Sequence, residues 1–126
     1  MSSISANSQA LQPEAQYLDV ERALAQVGDL PALHDMLDML QMSLHRDIPH
    51  IERLLSQDKL LLANRVLHAL KGVIPIFCCD ALCKEVARVE KLSTLGSPQE
   101  VGVAYALLSP KLKQLQTEAN AYLRAV

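Results

Sequence analysis

Two long stretches of this chain repeat apolar side chains in steps of three, four or seven, and that rhythm constrains the fold more than any other feature. One runs Leu33, Leu37, Leu40, Leu44, Ile51, Leu55; the other Val101, Tyr105, Leu108, Leu112, Leu115, Ala119, Tyr122. A helix turns by about 100° per residue, so each set falls on one side and has to be buried against other helices. Composition points the same way. Half of the 126 residues are hydrophobic but only 3% are aromatic, with no Trp and one Phe, so the interior has to be built from Leu, Val, Ile, Ala and Met. That suits packed helices better than sheets, which favour β-branched and aromatic residues. A chain of this length buries about two thirds of its unfolded surface in one core.

Stop and start signals divide the chain. Residues 1–16 are polar and aperiodic and are expected to have no fixed structure, leaving 17–126 as a single domain. Asp19 is placed to cap a short helix, Val20 to Val27, that Gly28 stops. Asp29 can cap the next, Leu30 to about Leu55, with Pro31 tolerated in its first turn. Ser56-Gln57-Asp58 leads into a central helix ending near Phe77, and Asp80 is read as the cap of another reaching about Leu95, with Leu82, Val86 and Val89 as its buried line. Gly96 stops that helix. Ser97-Pro98-Gln99-Glu100 is a capping box with Pro at the first helical position, the clearest helix start in the chain. Pro49, Pro75 and Pro110 each delete a backbone bond, so a kink or local loosening is expected at each. Connections this short force neighbours to run antiparallel, giving an all-α, up-down-up-down four-helix bundle with a short extra N-terminal helix over one end.

Several function classes are excluded. A net charge of −2 and no basic stripe with interleaved aromatics leave no footprint for nucleic acid. No apolar run is read as approaching the ~18 residues of a membrane span, and the Ser-rich start lacks a signal-peptide layout, so a cytoplasmic location is expected. Cys78, Cys79 and Cys83 form a Cys-Cys-x-x-x-Cys cluster without the second ligand pair of a structural zinc site, and are read as reduced core thiols; Cys79 and Cys83 are one turn apart, so at least one of these two is expected to pack inward. His34, His45 and His50 have no acid or thiol at metal-ligand spacing, so no metal site is expected.

The remaining chemistry gathers in residues 64–77. At helical pitch Val66, Leu70, Val73 and Phe77 are read as the core face, flanked by Leu62, Leu67 and Ile74, while Leu61, Asn64, Arg65, His68, Lys71, Gly72 and Pro75 line the opposite, solvent side. His68 is then an exposed imidazole in mid-helix. Lys71 lies one turn on, close enough to place an ammonium beside anything attached to the ring. Gly72 opens a gap in the same wall, and since Gly costs a helix interior roughly 1 kcal/mol relative to Ala, close approach of another surface is a reason for it. The pattern His68-Ala69-Leu70-Lys71-Gly72 resembles the phosphoacceptor signature of histidine-containing phosphotransfer (HPt) domains, and in helix order and spacing the resemblance extends over about residues 17–124. Pro75, unusual inside the motif helix, and Cys78, where many members have Gly, depart from the pattern a turn or more beyond His68.

That resemblance implies a stoichiometric phosphocarrier of two-component signalling rather than an enzyme, either free-standing or the HPt portion of a hybrid sensor histidine kinase; the initiating Met favours the former. His68 is expected to accept a phosphoryl group from the aspartate of a response-regulator receiver domain and to pass it to another. The attacking nitrogen needs a free lone pair, so the other should donate its proton to an acceptor. Glu90, one step from the buried Val86 and Val89 line and 22 residues after His68, is the candidate; many members of the family carry Glu or Gln at this spacing. A surface carboxylate paired with Lys or Arg is the other reading. Lys71 is expected to offset phosphoryl charge, and Asn64, Arg65 and Leu61 to be docking contacts. The chain has no acidic cluster for Mg²⁺ and no Gly-rich loop for a nucleotide, so no cofactor of its own is implied and the metal should come from the receiver. A bundle whose seams are used internally is expected to be a monomer. The rival classes are a module of the same shape that docks without relaying phosphate, and a cofactor or metal bundle, which asks for facing Glu-x-x-His pairs that the sequence lacks.

Overall fold

The computed structural model describes residues 15–125. Residues 1–14, which make up most of the aperiodic start, and residue 126 lie outside the described residues. Five helices follow one another: α1 (Val20–Val27), α2 (Leu30–Ser56), α3 (Leu60–Phe77), α4 (Asp80–Leu95) and α5 (Pro98–Ala125). The described residues form no strand, only an isolated bridge between Leu18 and Cys78. The four long helices close a ring in which α2 packs on α5 and α3 on α4 most extensively, with α2–α3 and α4–α5 completing it, and α1 lies across α2 and α3. This is the antiparallel bundle with a short N-terminal helix that the two seams require.

The caps explain the boundaries. Asp19 accepts from the Arg22 N–H at 3.0 Å and Asp29 from that of Ala32 at 2.8 Å, so each satisfies an orphan donor of the helix it opens. Gly28 ends α1 at φ +103°, which favours glycine. Ser97 and Glu100 form the reciprocal box, Glu100 Oε1 accepting from the Ser97 N–H at 2.9 Å and Ser97 Oγ from that of Glu100 at 3.2 Å. Asp80 departs from expectation. Cys79 holds the cap position without a side-chain bond, while Asp80 sits in the first turn and pairs with Arg22 at 2.7 Å, tying α1 to α4.

None of Pro49, Pro75 and Pro110 interrupts its helix. The carbonyls they orphan belong to His45, Lys71 and Ala106, all exposed, where water can satisfy them. Both seams are buried as read, except that Leu55 and Tyr122 end them half-buried, Tyr122 edge-on to His34 with ring centroids 5.8 Å apart. Cys78 is buried, Cys79 and Cys83 are half-buried, and all three are free thiols.

The core face of α3 is rotated from the expected one. Ala63, Leu67, Leu70, Ile74 and Phe77 are buried, Val66 is half-buried, and Val73 and Leu62 are 39% and 42% exposed. At about 100° per residue the buried arc is displaced by roughly 40° toward the Leu67 and Ile74 side. Apolar residues surround much of this helix, so burial is decided by its tightest neighbour, α4, and not by the polar stripe alone. The same composition makes α3 the one helix among the described residues whose length and hydropathy would suffice to cross a membrane, contrary to the expectation that no apolar run approaches ~18 residues, because its few charged residues are spread thinly over 18 positions. In the structure it is instead a wall of the bundle, with Arg65, His68 and Lys71 on its outer face.

A strap precedes α1. The Glu118 carboxylate on α5 accepts from three successive backbone N–H groups: Gln16 at 2.7 Å, Tyr17 at 3.0 Å and Leu18 at 2.9 Å. The Asp19 N–H donates to the Phe77 carbonyl at 2.7 Å, and the Cys79 N–H to that of Tyr17 at 2.9 Å. Gln16, read as part of the unstructured start, is therefore held. The strap pins the α3–α4 connection to α5.

Candidate functional site

His68 lies midway along α3 with its side chain 71% exposed, and Glu90 faces it from α4. Glu90 follows Val89, the last residue of α4's apolar line, so its stem is packed at the α3–α4 boundary and its side chain is only 10% exposed. Its oxygens reach outward. Oε2 is 3.2 Å from His68 Nδ1, and Oε1 accepts from Lys71 Nζ at 3.4 Å. Burial pushes the Glu90 carboxyl up, but the hydrogen bond from His68, the charge and hydrogen bond of Lys71, and the Asn64 amide together outweigh it and hold the group below its ordinary 4.5. Glu90 is thus a carboxylate at neutral pH. A carboxylate only accepts, so the bond to the ring assigns the proton to Nδ1 and leaves the lone pair on Nε2, which has no partner among the described residues.

Asn64 was expected as an exposed docking contact and is instead half-buried, turned toward α4. Its Nδ2 donates to Ser93 Oγ at 2.7 Å, to the Glu90 carbonyl at 3.2 Å and to Glu90 Oε2 at 3.3 Å. Ser93 was not anticipated at all. The signal for it was present: Val86, Glu90 and Ser93 follow one another in steps of four and three, the edge of α4 that faces α3. Arg65 and Leu61 are exposed as expected, Leu61 by 69%, and Arg65 makes no ion pair among the described residues. A Cβ added at Gly72 would meet nothing within 4 Å, so the chain's own packing gives no reason for glycine there.

Two surface grooves, one lined by Glu52, Tyr105 and Lys113 and another by Arg88, Leu107 and Lys111, lie apart from His68. No cluster of three or more His, Cys, Asp or Glu side chains is disposed to hold a metal ion among the described residues. Comparison with family models, with curated proteins and with solved structures finds no match to this chain.

Proposed function

We propose that the protein is a phosphocarrier of the HPt type, taking a phosphoryl group on His68 from the aspartyl phosphate of a receiver domain and giving it to the aspartate of another. The observation that carries this reading is the ring's two-sided environment: Nδ1 is engaged by a nearly buried carboxylate while Nε2 projects from a widely exposed side chain. In the step itself, Nε2 attacks phosphorus in line, an N–P bond forms, the P–O bond to the donor aspartate breaks, and the aspartate leaves as a carboxylate. No proton has to leave Nε2. The ring, still protonated at Nδ1, becomes cationic, and Glu90 at 3.2 Å stabilises that charge in the direction of transfer and in reverse. Lys71, whose side chain is 46% exposed beside the carboxylate, can swing its ammonium toward the phosphoryl oxygens. Gly72, with open space where a side chain would stand, suits the close approach of the partner's surface.

In this reading the carrier acts in the cytoplasm, needs no cofactor of its own, and relies on the receiver for Mg²⁺. The test is direct. Mixed with a phosphorylated receiver domain, the protein should gain the mass of one phosphoryl group in an acid-labile, base-stable linkage. Tight docking without that gain would overturn the reading and leave a module that regulates by binding alone.

A further inference from the structure

We propose that Asn64 and Ser93 are positioning residues: together they fix the Glu90 carboxylate at the edge of α3 and, through it, the tautomer of the His68 ring. The consequence for transfer rests on the phosphocarrier reading, but the consequence for the ring does not.

A glutamate at a helix edge has three torsions with which to swing into water. Two of the groups that hold Glu90, the His68 ring and the Lys71 ammonium, are themselves largely exposed and mobile at their ends. The fixed group is Asn64. Ser93, only 4% exposed, donates its hydroxyl hydrogen to the Glu90 carbonyl, so its lone pairs are what face the Asn64 amide at 2.7 Å. The direction of donation is thereby set: Asn64 to Ser93, Ser93 to the Glu90 backbone. One amide hydrogen is spent on Ser93, which leaves the second for the Glu90 carbonyl at 3.2 Å and Oε2 at 3.3 Å. Oε2 is the same oxygen that His68 Nδ1 meets at 3.2 Å, so it is held from two sides. Only a neutral NH₂ on a short stem does both jobs. Aspartate at position 64 would supply no donor and a like charge, and alanine would supply nothing.

Long-range ¹H–¹⁵N correlation spectra of the full chain test the idea by reading which His68 nitrogen carries the proton above the ring's titration. Wild type should be mainly the Nδ1–H form. Asn64→Ala and Ser93→Ala should each move the ring toward the Nε2–H form, Asn64→Asp furthest, with helical content by circular dichroism unchanged. Transfer from a phosphorylated receiver should fall about tenfold in Asn64→Ala, the low end of what removing an outer partner costs a metal-ligating histidine, and less in Ser93→Ala. An unchanged tautomer ratio in both alanine variants overturns the proposal even if transfer slows. Should Asn64→Ala lose helix, Ser93→Ala decides alone. If wild type takes up no phosphoryl group, the phosphocarrier reading falls while the ring spectrum still judges the positioning role.

Discussion

Glu90 and Glu118 make an instructive pair. Both are nearly buried glutamates at the edge of a long helix, and in both burial pushes the carboxyl up while hydrogen bonds outweigh it and hold the group low. Their partners differ. Glu118 spends its lone pairs on the N–H groups of Gln16, Tyr17 and Leu18 and on the Gln114 amide at 3.1 Å, none of which can titrate. Glu90 spends its own on an imidazole, an ammonium and one side-chain amide, two of which reach solvent. Burial and a lowered pKa are therefore no sign of function by themselves. What separates a pin from a site is whether the groups facing the carboxylate are free to change charge and bonding.

The largest test of that contrast is to remove the ring. His68→Gln should abolish phosphoryl uptake and leave urea unfolding within about 0.5 kcal/mol of wild type, because the side chain faces water. Glu118→Ala should do the reverse. It strands three N–H groups; those of Gln16 and Tyr17 are part-buried and can turn to water, while that of the buried Leu18 loses a charged hydrogen bond of roughly 1.5–3 kcal/mol, so we expect a loss of about 2–4 kcal/mol in urea melts. Transfer per folded molecule should be unchanged. A Glu118 variant that folds well yet transfers poorly would collapse the distinction between pin and site. Glu90→Gln is smaller in both respects: the amide can still accept from Asn64 or the ring, so stability should fall by less than about 1 kcal/mol, while transfer drops because a neutral partner no longer stabilises the cationic ring.

The same contrast shows how much was legible in the sequence. Helix boundaries were, because Asp19, Asp29, Gly28 and the Ser97 to Glu100 box act within one turn and so appear as local patterns. The His68 and Glu90 pairing was legible in part: helical pitch puts the ring outside and the carboxylate at a boundary, but it left a surface ion pair open as the other reading of Glu90, and the 22-residue spacing came from the family resemblance. The pin was not. Glu118 meets residues about a hundred positions earlier, and no periodicity encodes which backbone will lie under a carboxylate. Asn64 was misread for a related reason: the polar stripe of α3 fixes its solvent side only to within the rotation that packing against α4 imposes, and that rotation carries Asn64 inward and Val73 out.

A gentler probe is pH. Glu118 has a folded pKa below its ordinary 4.5, so it contributes stability that is fully present above 4.5 and is lost as pH falls through that value toward the folded one. Wild-type unfolding free energy should accordingly decline as the pH is lowered below 4.5. Glu118→Gln cannot titrate there and should show a shallower decline, the remainder including Glu90, whose shift has the same sign. Equal slopes in the two proteins would mean that the three backbone bonds do not depend on the carboxylate's charge.

The smallest effect separates the two regions through glycines. Gly72 on α3 and Gly102 on α5 are both inside helices, and a Cβ at either would meet nothing within 4 Å. Alanine at each should therefore stabilise the bundle by about 0.5–1 kcal/mol, by limiting the freedom of the unfolded chain and favouring the helix. Only one of them lies beside His68. If Gly72 is there so that a receiver can come close, Gly72→Ala should slow transfer several-fold while Gly102→Ala transfers as wild type does, so that the more stable protein is the poorer carrier at one position and not at the other. Equal transfer in both variants would remove close approach as the reason for Gly72, and would leave the reactivity of the site to the ring, the carboxylate and the ammonium alone.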